Sequence, residues 1–153
     1  MKIIPYVEKL HLNELSVMFK DLHDLHATNK PKEFKRNTLN KVKEHLTNNG
    51  MYDHYLYMEN DNIIGFISLR VCDRKETNLF KAIKFLDVVE IYVKPEYRIK
   101  GVATKMLDFA KKLAKKEKCK AMMSTVHEFN FKSFYLFSKN GFKATNHRMI
   151  KEL

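Results

Sequence analysis

The segment from Val88 to Leu107 constrains the fold of this chain more than any other segment. Five of its first six residues are β-branched or aromatic, and with the residues just before them they predict a central strand over 85–93. Pro95 ends that strand, and from Gly101 onward apolar residues recur every three or four positions, which predicts an amphipathic helix. A buried strand therefore runs through a short turn directly into a helix.

The turn between this strand and this helix is basic and contains a glycine. The unpaired N–H groups at the start of a helix, together with the helix dipole, bind anionic oxygens. Gly101 lets the main chain approach such a ligand closely, since no side chain intervenes. Arg98 and Lys100 add positive charge at the same place. The turn therefore predicts a site for a phosphate or diphosphate group.

Apolar periodicity along the rest of the chain predicts the remaining elements. The pattern indicates strands over 3–7, 52–59, 63–71, 121–126 and 142–152, and helices over 10–27, 34–48 and 131–139. The order β-α-α-β-β-β-α-β-α-β describes an α/β fold with one mixed sheet flanked by helices. With 153 residues, 44% of them apolar, the chain is long enough for one core and too short for two ordinary domains. We therefore expect a single domain over residues 1–153.

The formal charge of +11 is concentrated in residues 100–120, which hold eight lysines and two acidic residues. A positive charge of this size suits nucleic acid or a small phosphorylated ligand. A solvated helix face explains the lysines more simply. The sequence contains neither zinc-finger spacings nor RNA-binding signatures, so it does not favour a nucleic-acid-binding protein.

Other features argue against a membrane, secreted or metal-dependent protein. The chain has no run of about 18 apolar residues, and its N-terminal stretch does not have the pattern of a secretory signal, so we expect a cytoplasmic protein. Cys72 and Cys119 form no disulfide framework and are expected to be reduced. His23, Asp24 and His26 could be mistaken for metal ligands, but we expect no metal there.

Two blocks of the sequence resemble the GNAT superfamily of N-acetyltransferases. The first block, Arg98-x-x-Gly101-x-Ala103, matches the acetyl-CoA loop of that family, and the preceding residues 92–97 are similar to its central strand and exit. The second block consists of Asn130, Ser133, Phe137 and Gly141-Phe142. The resemblance extends over nearly the whole chain, most strongly over 86–142, and it implies a GNAT-like, mostly antiparallel sheet.

The resemblance also implies acetyl-CoA as co-substrate, without a metal. Residues 98–104 would surround the diphosphate, main-chain groups of 91–93 would pair with the pantetheine arm, and Asn130 and Phe137 would flank that arm. The residues assigned to the cofactor in this way are Ile91, Tyr92, Val93, Arg98, Ile99, Lys100, Gly101, Val102, Ala103, Thr104, Asn130 and Phe137. The reaction would be direct attack of a neutral amine on the thioester carbonyl, at a splay between the strands over 85–93 and 121–126.

Two carboxylates on or beside the central strand, Glu90 and Asp87, are the candidate catalytic groups. A half-buried carboxylate can serve as a base through a water molecule, or it can bind the ammonium form of the acceptor. Residues three apart point to opposite faces of a regular strand, so only one of the two should line the cleft, and we favour Glu90. The alternative is a carboxylate that merely pairs with one of the many basic residues.

The acceptor side is expected to include His26 and Phe34, which border the predicted cleft near Pro31. The acceptor could be a small-molecule amine, such as an aminoglycoside or polyamine, or a protein amine. A strongly cationic acceptor would need a local acidic cleft on this basic protein, and only Asp53, Glu59, Asp87 and Glu90 suggest one. The resemblance is also compatible with a homodimer.

Two departures from the family pattern keep a second hypothesis open. Many members have a tyrosine where this chain has Phe137, placed to protonate the departing sulfur, and Tyr135 lies about 200° away around the same helix. Ile99 stands where the family often has glycine. The alternative to an enzyme is therefore a CoA-binding module of the same fold without turnover. A third hypothesis, nucleic-acid binding through the lysine-rich helix, has the least support.

Overall fold

The computed structural model describes residues 2–153 and contains five strands and four α-helices within that range. The strands are β1 (Lys2–Pro5), β2 (Asp53–Glu59), β3 (Asn62–Arg74), β4 (Ile83–Val93) and β5 (Ala121–Met123). The helices are α1 (Glu8–Asn29), α2 (Leu39–Asn48), α3 (Val102–Lys116) and α4 (Phe131–Lys139). A short 3₁₀ turn, Pro95–Tyr97, separates β4 from α3, as the proline there requires.

The strands form one sheet in the order β1-β2-β3-β4-β5. Neighbouring strands are antiparallel except for β4 and β5, which run parallel because α3 connects them as a crossover. The mixed, mostly antiparallel sheet flanked by helices is thus confirmed.

Each face of the sheet carries its own hydrophobic core. One core joins α3 to the sheet and includes Ile67, Leu86 and Met106. The other joins α1 and α2 to the opposite face and includes Leu15, Phe19 and Phe66. Because side chains alternate along a strand, each strand residue contributes to one core only. The face of a strand residue therefore shows whether it belongs to the layer of α1 and α2 or to the layer of α3.

The last predicted strand, over 142–152, is wrong. This segment follows α4 as an irregular chain whose residues are nearly all exposed. Its first residue, Phe142, packs against Phe137, and its other two large apolar residues, Met149 and Ile150, are adjacent and both exposed, so no alternating apolar face exists to pack on the sheet. The edge strand β5 is also only three residues long, shorter than the predicted 121–126, and it offers few ladder positions.

None of the helices within residues 2–153 is long and apolar enough to cross a membrane. The lysines of α3 are exposed, whereas Met106, Leu107 and Ala110 of that helix are buried. The lysine-rich segment is thus a solvated helix face, as the simpler interpretation predicted.

Candidate active site

The central feature of the site is a gap beside the end of β4. β5 pairs with β4 at Phe85, Leu86 and Asp87 and then ends at Met123. The next residue, Ser124, donates its hydroxyl hydrogen to the carbonyl oxygen of Val88 at 2.9 Å. β4 continues to Val93, so the strand edge beyond Val88 borders a splay rather than another strand. Such an edge presents main-chain groups to which an extended ligand can hydrogen-bond.

The turn that follows β4 exposes main-chain amides at the start of α3. Gly101 precedes the helix with a left-handed φ of 78°, and among residues 2–153 no side chain caps that end. The first amides of a helix have no partner within the helix, so they are available to an anion. A Cβ on Gly101 would meet no atom within 4 Å, which shows open space in front of the turn.

The two cations of this turn are held against its own backbone. Arg98 donates from Nε to the carbonyl oxygen of Val93 at 2.8 Å, and its guanidinium lies 5.5 Å from the ring centroid of Tyr92. Lys100 donates from Nζ to the carbonyl oxygen of Glu96 at 3.0 Å. Both positive groups therefore lie just before Gly101 in the chain, and within residues 2–153 neither forms a salt bridge with an acidic side chain.

Ile99 has a positive φ of 64° and is fully exposed. This conformation is unfavourable for a β-branched residue, so the backbone of the turn is strained immediately before Lys100. A glycine would adopt it freely, which explains physically why glycine suits this position.

Asn130 and Phe137, the two predicted cofactor residues of α4, have clear structural roles. The Asn130 side-chain oxygen accepts a hydrogen bond from the amide of Ser133 at 3.1 Å and so caps α4. Phe137 is buried in the α3-side core, with its ring 4.9 Å from that of Phe142. Their contact with a cofactor stays a prediction. Tyr135 is exposed on the same helix.

The expectation that Asp87 and Glu90 point to opposite faces is wrong. Ser68 pairs with Glu90, but the next residue, Leu69, pairs with Val88, so β4 contains one extra residue at Val89. Such a β-bulge shifts the alternation of side chains by one position. Asp87 and Glu90 therefore lie on the same face, that of α1 and α2.

The two carboxylates have different partners. Asp87 accepts a hydrogen bond from Arg70 at 2.7 Å, so a neighbouring guanidinium balances its charge. Glu90 lies 2.7 Å from Nε2 of His23 on α1, and its side chain is 16% exposed. Asp87 is therefore a carboxylate that pairs with a basic residue. Glu90 instead contacts a histidine, whose charge depends on its protonation state.

Glu90 also belongs to a polar row that crosses three strands. Its second oxygen lies 3.5 Å from the hydroxyl of Ser68, and that hydroxyl lies 2.8 Å from Nδ1 of His54. Ser68 and His54 are both buried. Neither residue was predicted from the sequence, because neither stands near Glu90 in the chain. The only signal in the sequence was a polar residue at a core-facing position of each strand.

Four rings from three segments form a cluster beside Glu90. His26 of α1 lies 5.2 Å from Phe34, 5.3 Å from His127 and 5.6 Å from Phe129, measured between ring centroids. We call these four residues the aromatic cluster. It joins the end of α1 and the segment before α2 to the loop after β5. The predicted acceptor residues His26 and Phe34 are thus brought together, whereas His127 and Phe129 were not predicted from the sequence.

The environment of His26 favours its neutral form. Burial is the main cause that lowers the pKa of His26, and the nearby rings of His127 and His23 act in the same direction. Nδ1 lies 2.8 Å from the carbonyl oxygen of Leu22, so Nδ1 carries the hydrogen and Nε2 keeps its lone pair. Within residues 2–153, no group of three His, Cys, Asp or Glu side chains is arranged to hold a metal ion.

The chain is similar to known proteins in both sequence and fold. The sequence model of the acetyltransferase (GNAT) family matches residues 19–142. A tetramutant of the BH1408 protein from Bacillus halodurans has a TM-score of 0.89 at 13% identity, over 100% of both chains. A probable acetyltransferase has a TM-score of 0.76 at 19% identity, over 100% of this chain and 97% of that one.

A further structure with the same fold contains a ligand. The aminoglycoside N-acetyltransferase AAC(6')-Iy in complex with CoA has a TM-score of 0.73 at 18% identity, over 99% of this chain and 93% of that chain. At these identities the likenesses show the fold alone. No curated protein sequence matches the chain significantly.

Proposed function

This chain belongs to the GNAT family of acetyltransferases, and we propose that it transfers the acetyl group of acetyl-CoA to a primary amine by direct attack. The observation that carries the proposal is the continuous path from the open edge of β4 to the uncapped start of α3, with Glu90 on the same strand. That path offers main-chain groups to a long, phosphorylated ligand at one end and a carboxylate to an amine at the other.

The diphosphate would bind at the turn from Arg98 to Thr104. The first amides of α3, the left-handed Gly101 and the open space in front of it fit two phosphate groups, and Arg98 and Lys100 add charge. Main-chain groups of Ile91 to Val93 would pair with the pantetheine arm along the free strand edge. Binding of CoA by the structural neighbour AAC(6')-Iy supports this assignment.

Glu90 is the proposed base. An amine arrives as an ammonium ion at neutral pH and must lose a proton before its nitrogen can attack. Glu90 takes that proton, and His23 holds the carboxylate in position at 2.7 Å. Asp87 is less suited to this role, since Arg70 stabilises its charged form.

The transfer itself forms the nitrogen–carbon bond and breaks the carbon–sulfur bond. The lone pair of the neutral amine attacks the thioester carbonyl carbon, the thiolate leaves, and the acetylated nitrogen gives up its second proton to solvent. Phe137 has no hydroxyl and Tyr135 is exposed, so the departing sulfur takes its proton from solvent. No covalent enzyme intermediate is required.

The charges around the aromatic cluster favour an acceptor with a single positive charge. Glu128 pairs with Lys30, Asp24 with Lys20 and Asp87 with Arg70. Glu90 instead contacts His23, and it has no lysine or arginine partner among the described residues. One carboxylate beside half-buried rings suits an amine with an apolar or aromatic body better than a polyamine or aminoglycoside.

Calorimetric titration with acetyl-CoA tests the cofactor site. We expect micromolar binding by the native protein and at least about tenfold weaker binding by Arg98→Ala, since a charge-assisted contact is worth about 1.5–3 kcal/mol. Gly101→Trp should bind more weakly still, because its side chain would enter the space before the turn. Arg148→Ala removes the same charge from the exposed C-terminal segment and should bind normally. Absence of binding by the native protein would refute the site.

Thioester consumption across a panel of amines then separates the two functions. Phenylethylamine, butylamine, spermidine and kanamycin sample aromatic, apolar and polycationic acceptors. Consumption with the monoamines supports the enzyme, whereas binding of acetyl-CoA without consumption for any amine supports the CoA-binding module.

A further inference from the structure

We infer that Lys30 determines acceptor specificity, because it binds the carboxylates of Glu33 and Glu128 and so disfavours acceptors with more than one positive charge. The inference rests on the proposed function, in which the amine binds between Glu90 and the aromatic cluster. An enzyme selects one substrate over another by contacts that favour the first and by features that disfavour the second. Lys30 contributes to both, since it joins the segments of the cluster and neutralises two carboxylates next to it.

Lys30 stands where α1 ends and the segment before α2 begins. Its Nζ lies 3.0 Å from Oε1 of Glu33, and 3.2 and 3.3 Å from the two carboxylate oxygens of Glu128. The Lys30 side chain is 20% exposed, compared with 44% for Glu33 and 74% for Glu128. We call these three residues the ionic clamp. One ammonium group thus joins the segment before α2 to the loop after β5.

The ionic clamp is adjacent in the chain to three rings of the aromatic cluster. Glu33 directly precedes Phe34, and Glu128 lies between His127 and Phe129. The carbonyl oxygen of the clamp lysine also accepts hydrogen bonds from the amides of Glu33 and Phe34, at 3.1 and 3.0 Å. Because both segments are bound to one residue, their rings are held against one another.

Lys30 and Glu128 are charged at neutral pH. The contact with Glu33 is the main cause that raises the pKa of Lys30; burial opposes it, and Glu128 adds to it. A hydrogen bond from its own amide and the contact with Lys30 lower the pKa of Glu128. Exposed ion pairs contribute little to stability, but a fixed charge changes the potential that a charged ligand meets. We therefore expect the clamp to affect acceptor choice more than folding.

Without the ammonium group, the two carboxylates of the clamp would favour a polycationic acceptor. One ammonium of such a molecule would bind Glu90, and a second would be attracted by Glu33 or Glu128. In the native protein the charge of Lys30 repels that second ammonium and already pairs with both carboxylates. A monoamine carries no second charge, so it avoids this repulsion and still contacts the rings.

Lys30→Met removes the charge and keeps a long, unbranched side chain. We expect kcat/KM for spermidine to rise about tenfold, because two carboxylates lose their partner, and this gain should shrink with added salt. The value for phenylethylamine should fall about threefold, because the rings lose their link. The ratio of the two values is the measurement, since a purely structural role would lower both. Lys30→Arg keeps the charge and should restore the native order of the two amines.

Lys32→Met is the matched control. Lys32 belongs to the same segment, its side chain is 78% exposed, and it pairs with Glu152 of the C-terminal segment. The change therefore removes the same charge and also frees one carboxylate, but outside the aromatic cluster. We expect kcat/KM to stay within twofold of the native value for both amines.

Glu128→Gln tests the same inference at an exposed side chain, which the fold tolerates. Alone, it leaves the charge of Lys30 less balanced, so kcat/KM for spermidine should fall about threefold. Combined with Lys30→Met, it removes one released carboxylate and should abolish most of the gain for spermidine. A gain that persists in the double variant would contradict the role of Glu128. Native acetyl-CoA affinity in each variant shows that the fold is intact.

Two results would overturn the inference and leave the proposed function intact. The first is turnover by the native enzyme with an unchanged ratio of the two amines in Lys30→Met. The second is an equal loss for both amines, which would mean that Lys30 only supports the fold. If the native protein consumes no thioester with any amine, the proposed function fails and the inference fails with it.

Discussion

The turn from Val93 to Thr104 offers mainly main-chain groups to a ligand, whereas the acceptor side offers side chains from five separate segments. We call these the cofactor side and the acceptor side, after the roles proposed for them. The cofactor side is one continuous stretch of sequence, with a strand edge, a left-handed glycine and an uncapped helix start. The acceptor side joins His23, Glu90, the aromatic cluster and Ser68, which lie up to about a hundred residues apart.

This difference indicates which parts of the site can vary in sequence among proteins of the same fold. Main-chain groups are present whatever the side chains are, so a diphosphate site of this kind tolerates extensive sequence change. The structural neighbours share the fold at only 13–19% identity, which agrees with a backbone-based framework. Side chains that meet only in the folded protein define the acceptor, so acceptor preference can differ between proteins of the same fold.

The sharpest test of the acceptor side is Glu90→Gln. Because this change removes the proposed base but keeps its shape, we expect kcat to fall about a hundredfold or more, with an unchanged acetyl-CoA Kd. The measurement is the pH profile of kcat with phenylethylamine. Asp87→Asn is the matched change at the second carboxylate. Its kcat should fall by less than about tenfold, since Arg70 already balances the charge of Asp87. Native kcat and pH profile in Glu90→Gln would exclude Glu90 as the base.

Gly65→Ala tests the close approach of the β3 and β4 backbones next to the cofactor side. A Cβ at Gly65 would lie 2.6 Å from the carbonyl oxygen of Tyr92, so β3 and β4 would have to separate where the strand edge faces the splay. We expect a loss of about 2 kcal/mol in the free energy of unfolding, measured by denaturant titration. Gly50→Ala is the control, because a Cβ there meets nothing within 4 Å. Equal stability of the two variants would contradict this close approach.

Phe34→Ala tests the aromatic cluster. Removing this ring deletes contacts with His26 and His127, so kcat/KM for phenylethylamine should fall about tenfold, whereas the value for ethylamine should change less than about twofold. Val17→Ala truncates an exposed residue of α1 outside the cluster and should change neither value. Equal losses for both amines would mean that Phe34 supports the fold and not acceptor choice.

Ile99→Gly should have the smallest effect. Relief of the left-handed strain at Ile99 is worth about 1–2 kcal/mol, but the greater freedom of glycine in the unfolded chain offsets about 1 kcal/mol of it. We therefore expect a change of less than about 1 kcal/mol in unfolding free energy and nearly native acetyl-CoA binding. Thermal unfolding and calorimetry measure these quantities. A much larger destabilisation would show that the Ile99 side chain, though exposed, holds the turn.

Short-range patterns made most of the fold predictable. The mixed sheet, the four helices and the strand–turn–helix segment all follow from apolar periodicity, Pro95 and Gly101, since these act over a few residues. The strand over 142–152 was predicted wrongly because strand formation needs a partner edge and an alternating face. That segment has neither in the structure.

The amino-acid sequence by itself determined the cofactor side, because its strand, turn and helix start are contiguous and depend on local conformation. Only the tertiary structure decided the acceptor side. The bulge at Val89 is a mismatch between two strands, and it moved Asp87 and Glu90 to one face. Pairing of β2, β3 and β4 likewise brought His54 and Ser68 into line with Glu90. Such arrangements depend on strand register, a property of two segments together that neither segment contains alone.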